Sequence, residues 1–114
     1  MINIDKHINN DPDYYQLTVG GEVDASSSIH LEEALKEAME KSKVVIVDLE
    51  GLEYISSAGL GVFMSILQFL EDEKIKFAIY GMTEMVNEVF EMLGLDQLMI
   101  IKSTKEEALI ATNQ

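Results

Sequence analysis

The chain opens on alternation. Apolar and polar residues take turns through INIDKHI and again through YYQLTV, with the turn formers NNDPD between them. That pattern predicts an N-terminal β-hairpin whose second strand closes at Gly20 and Gly21. From Ser26 the period changes. Leu31, Ala34, Leu35, Ala38 and Met39 recur at helical spacing, and Glu32 and Glu37 stand four residues ahead of Lys36 and Lys41, which predicts an amphipathic helix with a paired polar face. VVIVDL, residues 44–49, is a continuous run rich in β-branched side chains, the mark of a strand covered on both faces and lying mid-sheet. A short loop, EGLEYI, pinned by Leu52 and Ile55, leads to a second helix over residues 58–73. The strand KFAIY follows, then a third helix whose Val86, Val89, Phe90 and Leu93 form one stripe, ended by Gly94 as a C-cap with apolar Leu95 behind it. The strand LMII leads to a fourth helix, entered through a capping box of Ser103 and Glu106.

Helices alternating with strands after an initial hairpin predict an α/β fold. Right-handed crossovers give it a mainly parallel mixed sheet, with the hairpin as its antiparallel part and about four helices. The 114 residues suffice for one domain, 1–114. The longest apolar run, residues 60–70, is interrupted by Ser65 and Gln68 and falls short of the roughly 20 residues a membrane helix needs. No basic segment followed by an apolar core opens the chain, so a cytoplasmic protein is expected. Cysteine is absent, which removes disulfides, thiolate nucleophiles and thiolate metal sites. Eight basic residues against twenty-one acidic ones give a net charge of -13, which opposes binding to nucleic acid or an anionic membrane. The acidic excess reads either as a solvated surface or as steering toward a basic partner.

The segment YISSAGLGVF, residues 54–63, holds the candidate chemistry. A serine at a strand-to-helix bend is first an N-cap, its oxygen accepting from a free amide of the first turn. Two serines exceed what one cap needs, and Gly59 and Gly61 sit where glycine weakens a helix. The helix beyond is also apolar on two sides. Leu60, Phe63, Met64, Leu67 and Leu70 make one stripe, expected to face the sheet. Val62, Ile66 and Phe69 make a second, expected to stay partly exposed for a partner, with the glycines letting that partner come close.

Taken together, VDLEGLEYISSAGLGVF and GGEVDASS resemble the STAS domain of bacterial anti-sigma factor antagonists over essentially the whole chain. That resemblance implies a STAS-like fold and a regulatory role. An anti-sigma factor that is itself a serine kinase, of the histidine-kinase-like ATPase type, binds the unphosphorylated antagonist and releases its sigma factor. Phosphorylation ends the interaction, and a metal-dependent serine/threonine phosphatase restores it. Aligned on Gly59, Leu60 and Gly61, the acceptor is Ser57, with Ser56 where the family usually has aspartate and Ala58 where it usually has serine or threonine. The choice between Ser56 and Ser57 rests on that offset. Asp24 is implied to lie near the acceptor hydroxyl, while the residues alone read it as a cap for the helix that starts at Ser26.

No enzyme is expected. His7 and His30 have no serine and carboxylate arrayed around them, no residues show metal-ligand spacing, and no dinucleotide or phosphate-loop fingerprint occurs, so no cofactor is implied. Two other readings remain open at this point. A stand-alone STAS partner of a lipid-transport ATPase shares the motif. A response-regulator receiver domain has similar length and alternation, and would carry its phosphate on Asp48.

Overall fold

Strand β1 (Asn3–Asn10) and strand β2 (Asp13–Val23) form the expected antiparallel hairpin in the computed structural model, which describes residues 1–10 and 13–112. Ile4 lies opposite Val19 and Ile8 opposite Tyr15; the turn residues Asp11 and Pro12 lie outside the described residues. Helix α1 (Ser28–Lys41) leads to β3 (Val44–Asp48), which runs parallel to β2 with Leu17 opposite Val47. Parallel β5 (Lys76–Tyr80) and β6 (Ile100–Lys102) complete the order β1-β2-β3-β5-β6. β3 is thus central, as its unbroken apolar run requires.

β2 does not stop at its glycines. Gly21 adopts φ 81°, the register slips between Gly21 and Glu22, and the strand continues to Val23 with a new neighbour, β4 (Leu52–Ile55). Only glycine takes that backbone angle without strain. β4 is the segment read from sequence as a pinned loop. Its anchors Leu52 and Ile55 are buried as expected, but three residues apart they hide the period of two that marks a strand.

The predicted second helix is two helices, α2 (Ser57–Ser65) and α3 (Leu67–Asp72). The Ser65 hydroxyl donates to the Val62 carbonyl at 2.7 Å, the acceptor that an unbroken helix would offer to the Ile66 amide. Such back-bonding bends helices. Helix α4 (Glu84–Met92) is capped by Thr83, whose oxygen accepts from the Val86 amide at 3.3 Å. Gly94 at φ 75° ends it and Leu95 is buried behind, as predicted, although Leu93 of the proposed stripe is exposed. The capping box of α5 (Lys105–Thr112) sits one residue beyond its predicted place. Thr104 accepts from the Glu107 amide, and the Glu107 carboxylate accepts from the amides of Ser103 and Thr104, each at 3.2 Å.

Strand alternation divides the core. Tyr15, Leu17, Val19, Val45, Val47, Phe77 and Ile79 face α1 to α4, and Tyr14, Ile46, Ala78 and Tyr80 face α5. Phe63 of α2 meets Phe90 of α4 edge to face, ring centres 5.4 Å apart, which locks the two helices over the sheet. Among the described residues, no helix is long and apolar enough to cross a membrane.

Candidate functional site

The parallel strands deliver their carboxyl ends to one pole of the molecule, and α2 begins there. β4 hands the chain to the serine pair, and the Ser56 amide donates to the Val23 carbonyl at 2.8 Å, tying the bend to the end of β2. From that point the serines divide. The Ser56 hydroxyl oxygen accepts from the Gly59 amide at 3.2 Å and is the N-cap of α2. Ser57 is the first residue of the helix proper, is exposed, and its hydroxyl makes no hydrogen bond to another described residue.

The two glycines also divide. Gly59 is buried, and a β-carbon there would stand 2.7 Å from Ile55 Cγ1 and 2.8 Å from Val23 Cγ1. It lets α2 sit directly on β2 and β4, so its small size serves internal packing and not the approach of a partner. Gly61 is exposed, and a β-carbon there would meet nothing within 4 Å. Ser57, Gly61 and Met64 fall on one exposed line of α2, with Ala58 beside them.

Two expectations about that helix are corrected here. Val62 and Ile66, expected to stay partly exposed for a partner, are 8% and 3% exposed and belong to the main core. The sheet is not the only wall against α2, because α1 also packs against it on the side of Val62 and Ile66. Met64, expected to face the sheet, is instead 48% exposed, while Phe69 is 41% exposed as expected. Helical periodicity alone supplies one buried side and an unbroken axis, whereas here the axis breaks at Ile66 and a second helix packs alongside.

Asp24 follows Val23 in the chain and so lies beside the serine bend. Its Oδ1 accepts from the Ser27 amide, the Ser26 hydroxyl and the Ser27 hydroxyl, each at 2.9 Å. These bonds, the Ser27 amide foremost, hold its carboxyl at about 2, well below the usual 3.8. The carboxylate organises the turn that precedes α1 but does not cap the helix, whose N-cap is Ser27 and whose first residue is Ser28, two beyond the expected start at Ser26, and it makes no hydrogen bond to Ser57. Glu22, Asp48, Glu50 and Glu84 lie at the same strand ends, with Lys102 as a counterweight. Asp48 is buried, its Oδ1 accepting from the Glu50 amide at 2.8 Å. The neighbouring Tyr80 hydroxyl is pushed well above its ordinary range by burial and by the Asp48 charge. Asp48 is therefore a structural turn residue. Among the described residues, no three histidine or carboxylate side chains are grouped to hold a metal ion.

Comparisons with known proteins agree with this geometry. The family model for the STAS domain matches residues 3–108. The anti-sigma-B factor antagonist of Listeria monocytogenes is 31% identical over 98 residues, which are 85% of this chain and 86% of that protein. An anti-sigma factor antagonist from Mycobacterium paratuberculosis has a crystal structure that superposes with a TM-score of 0.88 at 22% identity, covering 100% of this chain and 96% of that one. The Bacillus cell-fate determinant SpoIIAA in its phosphorylated form superposes with a TM-score of 0.69 at 19% identity, covering 96% of this chain and 97% of that one. The receiver-domain reading is thereby overturned, and the chain belongs to the STAS-domain anti-sigma factor antagonist family.

Proposed function

We propose that this chain is an anti-sigma factor antagonist that binds an anti-sigma factor serine kinase when unphosphorylated, so freeing the sigma factor, and is switched off by phosphorylation of Ser57. The observation that carries the assignment is the division of labour in the serine pair. Ser56 spends its hydroxyl on the helix cap, while Ser57 offers an exposed, unengaged hydroxyl one residue later. The names of the relatives support the role, and the existence of SpoIIAA in a phosphorylated form supports the kind of switch.

A phosphate on Ser57 would add about -1.5 to -2 charges at the first turn of a helix, where free amides and the macrodipole receive an anion well. The domain should therefore keep its fold. The added charge is a small increment on -13, so the effect on binding must be local. A phosphate on the line of Ser57, Gly61 and Met64 must either be desolvated in the contact or displace partner atoms. A loss of about 3 to 4 kcal/mol would weaken binding by roughly two to three decades, enough to exchange partners. A serine/threonine phosphatase would reverse the state.

The experiment is phosphopeptide mapping after incubation with the kinase and ATP. One acid-stable phosphate should appear on Ser57, Ser57→Ala should abolish it, and Ser56→Ala should retain it in a less stable domain. Label on Ser56 would refute the assignment. Capture of a lipid-transport ATPase in place of a histidine-kinase-like ATPase would refute the role.

A further inference from the structure

At the break between α2 and α3, a groove of about 350 Å³ runs between Ser65, Ile66 and Phe69 on one side and α1 on the other. Its floor is apolar, made by the buried Met39 and Ile66, and Phe69 forms one wall with much of its ring in solvent. Glu32, Lys36 and Glu40 line the α1 side. Lys36 pairs with Glu32 at 3.7 Å, whereas Glu40, exposed, makes no ion pair among the described residues. Ser65, at the upper end of the groove, adjoins Met64 on the exposed line that begins at Ser57.

Resting on the antagonist reading above, we infer that this groove receives a basic amphipathic helix of the anti-sigma factor, one that places a large apolar side chain between Met39, Ile66 and Phe69 and a lysine or arginine against Glu40. Three features select that occupant. Both walls are helices whose backbones are already paired, so the groove offers no strand edge, and the occupant must bring its own backbone hydrogen bonds. The floor accepts an apolar anchor. Glu40 is an uncompensated carboxylate on a chain of net charge -13, which repels an acidic segment and favours a cationic one. A partner lying over Ser57 and Met64 reaches the groove without leaving the surface, so the phosphate site and the anchor site share one contact.

The test uses the purified histidine-kinase-like anti-sigma factor of the same organism loaded with ADP, so that Ser57 is not phosphorylated during the measurement, titrated calorimetrically with the full chain. Phe69→Ala is expected to weaken Kd about tenfold or more, as for a central apolar anchor. Glu40→Lys, at an exposed position that makes no ion pair among the described residues, is expected to weaken it about fivefold at low salt and less at high salt. Melting temperature monitors the fold of each variant. If the wild type binds tightly and both variants bind within a factor of about two of it, the groove inference is overturned while the Ser57 reading stands. If the wild type does not bind the kinase at all, the antagonist reading falls and this inference with it. Sedimentation of the chain alone covers the other occupant: a wild-type dimer that Phe69→Ala or Glu40→Lys dissociates would place a second copy in the groove and overturn the inference.

Discussion

Replacing each glycine of the α2 start by alanine should move stability in opposite directions. At Gly61 the new methyl group meets open space in an exposed helical position, so only the backbone matters. Alanine restricts the unfolded chain and favours the helix, a gain of about 0.4 to 1 kcal/mol. At Gly59 the same helical gain is opposed by contact, since a β-carbon would approach Ile55 Cγ1 to 2.7 Å and Val23 Cγ1 to 2.8 Å. Both neighbours are buried, β-branched and seated on strands, so they yield little, and overpacking of this kind costs about 1 to 3 kcal/mol. Gly61→Ala should therefore exceed Gly59→Ala by about 1 to 3 kcal/mol in urea unfolding followed by circular dichroism, with unchanged m-values. If the proposed contact runs along Ser57, Gly61 and Met64, Gly61→Ala should also bind the kinase less well despite its greater stability, because its methyl group would fill the open space on that line. A Gly59→Ala protein as stable as Gly61→Ala would refute the claim that Gly59 is fixed by packing against β2 and β4.

The buried state of Val62 predicts that Val62→Asp, which leaves an unpaired carboxylate in the core, unfolds the domain or lowers its melting temperature severely; a cooperative transition near that of the wild type would contradict the core assignment. Thr104→Ala should cost about 1 kcal/mol in thermal unfolding while Ser103→Ala costs almost nothing, locating the α5 cap. Asp24 has its folded-state carboxyl at about 2 against an ordinary 3.8, so its contribution is fully present above about pH 4 and is lost as pH falls through about 2. The stability gap between wild type and Asp24→Asn, measured by urea unfolding, should therefore narrow steadily on acidification, and a gap independent of pH over that range would rule out the proposed turn.

Periodicity made most of the fold legible. The hairpin, the central position of VVIVDL, the helix over α1 and the Gly94 terminus all follow from patterns that tertiary contacts do not override. The misreadings share a cause, which is contact between elements distant in sequence. β4 exists because β2 bends at Gly21 to meet it, and nothing within LEYI announces that partner. Val62 and Ile66 are buried because α1 lies beside α2, a placement that a helical wheel cannot contain. At the site, the offset of the serines from Gly59, Leu60 and Gly61 was readable, but the split of their roles was not. Serine and aspartate are both good N-caps, so Ser56, standing where the family usually has aspartate, keeps the cap without the charge. Only the Ser56 to Gly59 hydrogen bond distinguishes the cap from the free hydroxyl beside it.

The gathering of strand carboxyl ends at one pole also gives the molecule an electrical direction. Lys41, Lys43, Lys74 and Lys76 all lie at the amino ends of β3 and β5, where Lys41 pairs with Glu37 and Lys43 with Glu73, whereas Glu22, Asp24, Asp48, Glu50 and Glu84 crowd the opposite end around the start of α2 with Lys102 among them. Lysines thus gather at one pole, and the pole that carries Ser57 is the more acidic of the two. In the field of a basic partner the chain experiences a torque as well as an attraction, and tumbles into the encounter with that pole leading. Collisions that would otherwise be wasted on wrong orientations become productive, and the gain fades once added salt shortens the reach of the field to less than the size of the domain.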